Sequence, residues 1–233
     1  MVSLPVEHPM EADPLRELSP EKLDFLRQWI EKSSEDDKLE NLSHWILEES
    51  ELLETNLYEF GKAAWHVLEP ENPYIAGWHD KAISDHLEAG SYGRIKKLLC
   101  NVPPGTSKSI WTCVLFPAWV WTTRPWYRFL FASYGQTLAT RDSVKTRQLV
   151  ESQWYQERWP HVKIKADQNQ KTKFETVQGG WRIATSVGGP ATGEHPHAIV
   201  IDDPHSAKQA GREKERQAGV DWARHTLASR RAL

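Results

Sequence analysis

The chain is poor in sulfur: among its 233 residues only Cys100 and Cys113 are cysteines. Two thiols make neither a disulfide framework nor a four-sulfur metal site, so folding must rest on a hydrophobic core, and both read as small buried apolar residues. Long apolar runs are also missing. No stretch nears the roughly 18 residues that a membrane-crossing helix needs, which speaks against a membrane partner. The first residues carry Glu7, Glu11 and Asp13 where a secretory signal has basic and then apolar residues, and this predicts a cytoplasmic protein. Internal repeats are absent, which excludes a solenoid. What remains, 39% hydrophobic and 26% charged, suits one medium-sized globular domain with a helical appendage and excludes a disordered tail.

The net charge of −3 hides two halves of opposite sign. Residues 1–90 hold 7 Lys+Arg against 21 Asp+Glu, a net of −14, whereas residues 91–233 hold 22 against 11, a net of +11. The acidic half reads as solvated helix faces. The basic half suits nucleic acid, a nucleotide, or the acidic half of its own chain.

Periodicity divides the chain into an acidic, mostly helical region over residues 1–57 and an α/β domain over 58–233. Ser19-Pro20-Glu21 opens a first helix carrying Leu23, Leu26, Trp29 and Ile30. A charged break at Ser33 to Asp37 precedes a second amphipathic stretch through Leu42, Trp45, Ile46, Leu53 and Leu57. After a loop at Glu69 to Pro73, a short helix spans Trp78 to Ala89. The run Ile95 to Val102 then reads as a buried strand, Ile110 to Trp121 as a helix despite Pro117, and Tyr127 to Ser133 as a strand. Gln136 to Val150 reads as a helix, and Phe174–Val177 with Trp181–Thr185 as a hairpin. Ala198 to Ile201 forms another strand and Ala207 to Arg230 a polar helical tail. Strands alternating with helices predict a largely parallel sheet.

Pro103-Pro104-Gly105-Thr106-Ser107-Lys108-Ser109 lies between a predicted strand and a predicted helix, where a phosphate-binding loop belongs. In such a loop backbone N–H groups and a helix N-terminus face an anion, lysine reaches the β and γ phosphates, and a hydroxyl ligates Mg. The consensus wants glycine at 102 and 107, and the chain has Val102 and Ser107. Strand-end carboxylates are the second requirement. Ile199-Val200-Ile201-Asp202-Asp203 supplies them, with Asp202 suited to the metal and Asp203 to polarising water. His195, His197 and His205 flank the acids but fit no metal template. Of the twelve tryptophans, Trp29, Trp45, Trp111 and Trp119 fall in apolar helical contexts and read as core.

From about Phe60 onward the sequence resembles the large subunit of the tailed-phage terminase. The resemblance rests on Trp65 with Val67-Leu68-Glu69-Pro70, Gly77-Trp78-His79, Asn101 through Ser109, Phe116-Pro117-Ala118-Trp119 and Phe131-Ala132-Ser133-Tyr134. It continues through Gly179 to Gly189, Thr192-Gly193 and Ile199 to His205. It implies an ASCE-type P-loop ATPase, a three-layer sandwich around a mainly parallel sheet. ATP and Mg2+ would be held by Pro104, Gly105, Thr106, Ser107, Lys108 and Ser109, with Ser109 and Asp202 on the metal and Lys108 and Asp203 catalytic. Trp78 and His79 would seat the adenine, and Arg141, with Arg147 and Arg128 as rivals, would reach a neighbouring subunit's γ phosphate. Trp78 also reads as plain core.

The resemblance further implies a homo-oligomeric ring around double-stranded DNA, working with the terminase small subunit and the capsid portal in the host cytoplasm. The family's coupling motif and RNase H-like nuclease domain lie beyond Leu233, so no nuclease activity is expected and the domain reads as incomplete at its C-terminus: a fragment, a split product or a decayed prophage copy. The alternative function is a non-catalytic nucleotide-binding or assembly remnant. A helicase is a third option, against which the ordered motifs speak.

Overall fold

The computed structural model describes residues 35–189 and 193–224. The helix expected after Ser19 and the last part of the polar tail lie outside them, as does Thr192. The chain forms two compact units, Met1–Trp45 and Ile46–Leu233. Helix α1 (Glu35–Thr55) contains the described residues of the first, so the charged stretch expected to break the chain already lies within a helix from Glu35 onward. Trp45 is half exposed there, against its expected place in a core.

Within the second unit, the apolar pattern that reads unbroken through Leu57 is interrupted at Asn56, whose Oδ1 accepts the Glu59 N–H at 3.1 Å. Asn56 thereby caps helix α2 (Leu57–Leu68), which buries Leu57, Phe60, Gly61 and Ala64. Helix α3 (Trp78–Ser91) starts at Gly77, whose N–H donates to Asp80 Oδ2 at 3.1 Å.

Residues 95–102 do not form the expected strand. The run is apolar by composition, yet Leu98 and Leu99 are exposed, and only Cys100 and Val102 pack on the core. Cys100 is accordingly only half-buried, whereas Cys113 is buried as expected. A strand exists through its ladder, and the sheet ends at β5 without taking this segment in.

The helix after the loop forms, but with a wide first turn. A π-helix runs over Ile110–Leu115 and passes directly into α4 (Phe116–Thr123). Pro117 has no N–H for the Cys113 carbonyl, which removes one α-type bond and accompanies the five-residue bond from Phe116 N–H to Trp111 O.

Strand β1 (Arg128–Ser133) is followed by α5 (Gln136–Glu151) and α6 (Gln153–Arg158). Then come β2 (Ile164–Asn169), β3 (Lys173–Thr176), β4 (Trp181–Ser186) and β5 (Ala198–Ile201), and last α7 (Ala207–Ala210) and α8 (Glu213–Trp222). The sheet order is β2-β3-β4-β1-β5. β1 pairs in parallel with β4 and β5, while β3 is antiparallel to both β2 and β4. The sheet is therefore mixed rather than mainly parallel. The hairpin at Gly179-Gly180 reverses the chain, and β2 adds a further antiparallel partner at the far edge.

Side chains alternate across β1. Phe129 and Phe131 join the main core with Trp111, Trp119, Trp121 and Trp159, while Leu130 faces a smaller cluster with Trp181, Ile183, Ile199 and Trp222. This frame brings the C-terminal ends of β1 and β5 to the start of the π-helix, where the candidate residues meet.

Candidate functional site

The loop after Val102 turns on two left-handed residues. Gly105 has φ +82° and Ser107 φ +53°. Among the described residues nothing lies within 4 Å of where a Cβ on Gly105 would stand, so its glycine serves backbone conformation rather than space. Ser107 occupies the position where the consensus has glycine, and its backbone adopts the conformation glycine favours. Thr106 Oγ1 donates to Pro103 O at 2.8 Å, and the Trp111 N–H reaches Ser107 O at 3.1 Å, so the loop enters the helix directly.

Ninety-odd residues later the chain returns to this loop. Asp202 is placed by its N–H on Ala132 O at 2.9 Å, one step past β5, and the Asp203 carbonyl accepts the Tyr134 N–H at 3.0 Å. Ser109 Oγ donates to Asp202 Oδ2 at 2.5 Å. Lys108 Nζ lies 3.0 Å from Asp202 and 2.8 Å from Asp203. Burial acts to lower the lysine pKa, but hydrogen bonds to Asp203 and Asp202 outweigh it and hold the ammonium above the ordinary lysine range. Asp203 itself has φ +44°, a conformation that aspartate tolerates better than most side chains.

Below this cluster lies a second layer that sequence reasoning missed. A carboxylate oxygen of Asp142 on α5, the Cys113 thiol and a carboxylate oxygen of Asp202 all lie within 4.8 Å of one another. Burial, followed by the Asp202 charge, pushes the Cys113 thiol up to about 12, so it stays protonated. The only sequence signal for Asp142 is a carboxylate on the helix that follows β1, next to Arg141.

The arginines separate clearly. Arg141 donates from Nε to Asp142 Oδ1 at 2.8 Å, while its side chain stays half exposed. Arg147 is bound to Asn169 at 2.7 Å, and Arg128 faces His197. Arg141 is thus the one of the three linked to the acid cluster.

Trp78 is not core, being 84% exposed. With His79, Ile83, Leu98, Leu99 and Val102 it lines an apolar cleft of about 240 Å³ whose far wall leads straight into the loop. His79 Nε2 lies 3.3 Å from Asp80 Oδ1. Of the three histidines near the acids, His197 Nδ1 accepts the Arg128 N–H at 3.0 Å, His205 faces Glu215 O, and His195 is exposed.

Chemically the site offers a lysine, a hydroxyl and two carboxylates around a loop whose N–H groups precede a helix. Ser109 Oγ and Asp202 are the hard oxygen donors that Mg2+ takes. No protein-family model matches the chain, and no curated protein matches it.

Proposed function

We propose that the chain binds and hydrolyses ATP, as the ATPase module of a phage or prophage DNA-packaging motor built on an ASCE-type P-loop sandwich. The observation that carries this reading is the meeting of Lys108 and Ser109 with Asp202 and Asp203 across more than ninety residues of sequence. A turn signal before Pro204 gives no reason for that meeting. The sequence resemblance supplies the packaging role, and the +11 half of the chain is the side that would meet double-stranded DNA.

In this reading Lys108 leaves its two carboxylates for the β and γ phosphates, and the loop N–H groups from Gly105 to Ser109 face the same anion. Ser109 and Asp202 hold Mg2+, which when bound screens phosphate charge and polarises the γ-phosphoryl group. Released from Lys108, Asp203 is free to orient water. The cleft at Trp78 and His79 would receive the purine, with the exposed Trp78 ring stacking on it. Arg141 stands ready to offer its guanidinium to phosphate, in its own subunit or a neighbour's. Glu213 and Glu215 lie on the polar helix α8, with Glu215 bound to Arg212 at 2.8 Å, and DNA cleavage is not part of the proposal.

Calorimetry of Mg-ATP binding tests the reading. Lys108→Ala should weaken binding by at least tenfold, because the loop amides alone leave the phosphate charge under-neutralised; equal affinity for both proteins overturns it. A second reading, nucleotide binding without turnover, draws on the left-handed Ser107 and the unpaired run before the loop. ATP bound by the wild type with no phosphate release, alone or with DNA, selects it.

A further inference from the structure

Arg182, the second residue of β4, is completely buried, and among the described residues it has a single polar partner: Nη2 donates to the Cys113 carbonyl at 3.0 Å. That carbonyl is open to it because Pro117 cannot donate. The guanidinium also stacks 4.1 Å from the centre of the Phe131 ring, but Nε and Nη1 find no partner among the described residues. Burial lowers its pKa to about 10, which leaves it charged at neutral pH. A buried cation with open donors is strongly unfavourable unless a carboxylate answers it.

Asp142 is the carboxylate whose charge acts on Arg182, and the two converge on one residue. Arg182 holds the carbonyl of Cys113, and the Asp142 carboxylate lies within 4.8 Å of the Cys113 thiol. Asp142 is itself buried, yet its hydrogen bond goes to Arg141, whose side chain is 54% exposed. One buried carboxylate is therefore bonded to the exposed arginine and coupled to the buried one only through its charge.

We propose that Asp142 exchanges partners: it holds Arg141 in the state described here and turns inward to Arg182 when Arg141 leaves. Arg182 is then a positioning residue. It receives the carboxylate that Arg141 gives up and so lowers the barrier to presenting Arg141 to a phosphate, a consequence that rests on the ATP reading above. The exchange itself needs no nucleotide. A change of staggered side-chain well at Asp142 re-aims its carboxylate without moving the helix.

The test is a double-mutant cycle on the folding constant of the full chain, measured by urea denaturation without nucleotide. Arg141→Ala alone should cost less than about threefold, because Asp142 finds Arg182. Arg182→Met alone should leave the constant unchanged or raise it, because an unmatched buried charge is gone. The double variant should lose at least tenfold beyond the product of the single effects, since Asp142 then has neither arginine. Adding Asp142→Asn should restore most of that loss, and Arg141→Ala with Arg182→Lys should behave like Arg141→Ala alone. Single effects that multiply within about threefold overturn the proposal, as does a loss above tenfold from Arg182→Met alone. Unchanged ATP affinity in Lys108→Ala would sink the ATP reading and leave this cycle standing.

Discussion

Replacing Ser107 with glycine should stabilise the protein, and the size of the gain follows from one dihedral angle. Ser107 holds φ +53°, and an L side chain in the left-handed region costs roughly 1–2 kcal/mol relative to glycine. Glycine gives back about 0.5–1 kcal/mol through the greater freedom of its unfolded chain. The Ser107 hydroxyl has no hydrogen-bond partner among the described residues, so nothing else is lost. The net gain is about 0.5–1 kcal/mol, or a rise in Tm of about 1–4 °C for a domain of this size. Urea unfolding monitored by tryptophan fluorescence should show a higher midpoint at unchanged slope. Two controls isolate the cause. Ser107→Ala keeps the strain and should move the midpoint little. Gly105→Ala, at φ +82° with open space around the new methyl, should lower stability by about 1 kcal/mol or more through conformation alone. A lower midpoint for Ser107→Gly, or an equal rise for Ser107→Ala, would refute the reasoning.

Asp203→Asn keeps a residue type that accepts the left-handed backbone at φ +44° while removing the charge, so the variant should fold and bind Mg-ATP but lose at least a hundredfold in phosphate release; turnover at the wild-type rate removes Asp203 from its role. Gly61→Ala should destabilise by about 2 kcal/mol, because a Cβ there would stand 2.2 Å from the buried Trp111 ring and the gain in helix propensity does not cover such overpacking; a midpoint equal to or above wild type would show that the ring can move. Burial, then Arg128, lowers the His197 pKa, so the unfolded chain takes up a proton there before the folded one does. Its contribution is present above the ordinary histidine pKa and is lost as pH falls, because the protonated ring cannot accept the Arg128 N–H. Stability should drop from pH 7 to 5.5, less steeply in His197→Gln, and equal slopes would exclude His197.

What the sequence revealed depended on whether a residue's job was local. β1, β4 and β5 read directly as apolar or aromatic runs bounded by turns, and their cores are Phe129, Phe131, Ala184 and Leu130. The same rule misread residues 95–102, because an apolar run is a strand only when another strand accepts its backbone. β2 escaped notice because Ile164-Lys165-Ala166-Asp167 alternates weakly. Lys108, Ser109, Asp202 and Asp203 were legible because a loop motif and a strand-end acid pair each have a local signature. Asp142 and Arg182 were not, since one looks like any helix-surface acid and the other like an outward-facing strand residue. Only the fold shows that both are buried, and that Cys113 lies between them.

The π turn between the loop and Pro117 has a consequence for how this stretch can change in descent. Such a turn accommodates about one residue more than an α-helical turn of the same height. Deleting a single residue between Ser109 and Pro117 would let this turn close to an α-helical one while the residues on either side keep their phase. Ser109 would stay opposite Asp202, and Lys108 opposite both carboxylates. A second deletion has no such turn to absorb it and would carry everything on the loop side about 100° around the helix axis. The stretch from the serine to the proline can therefore lose one residue and keep the site, whereas the next loss would take Ser109 away from Asp202.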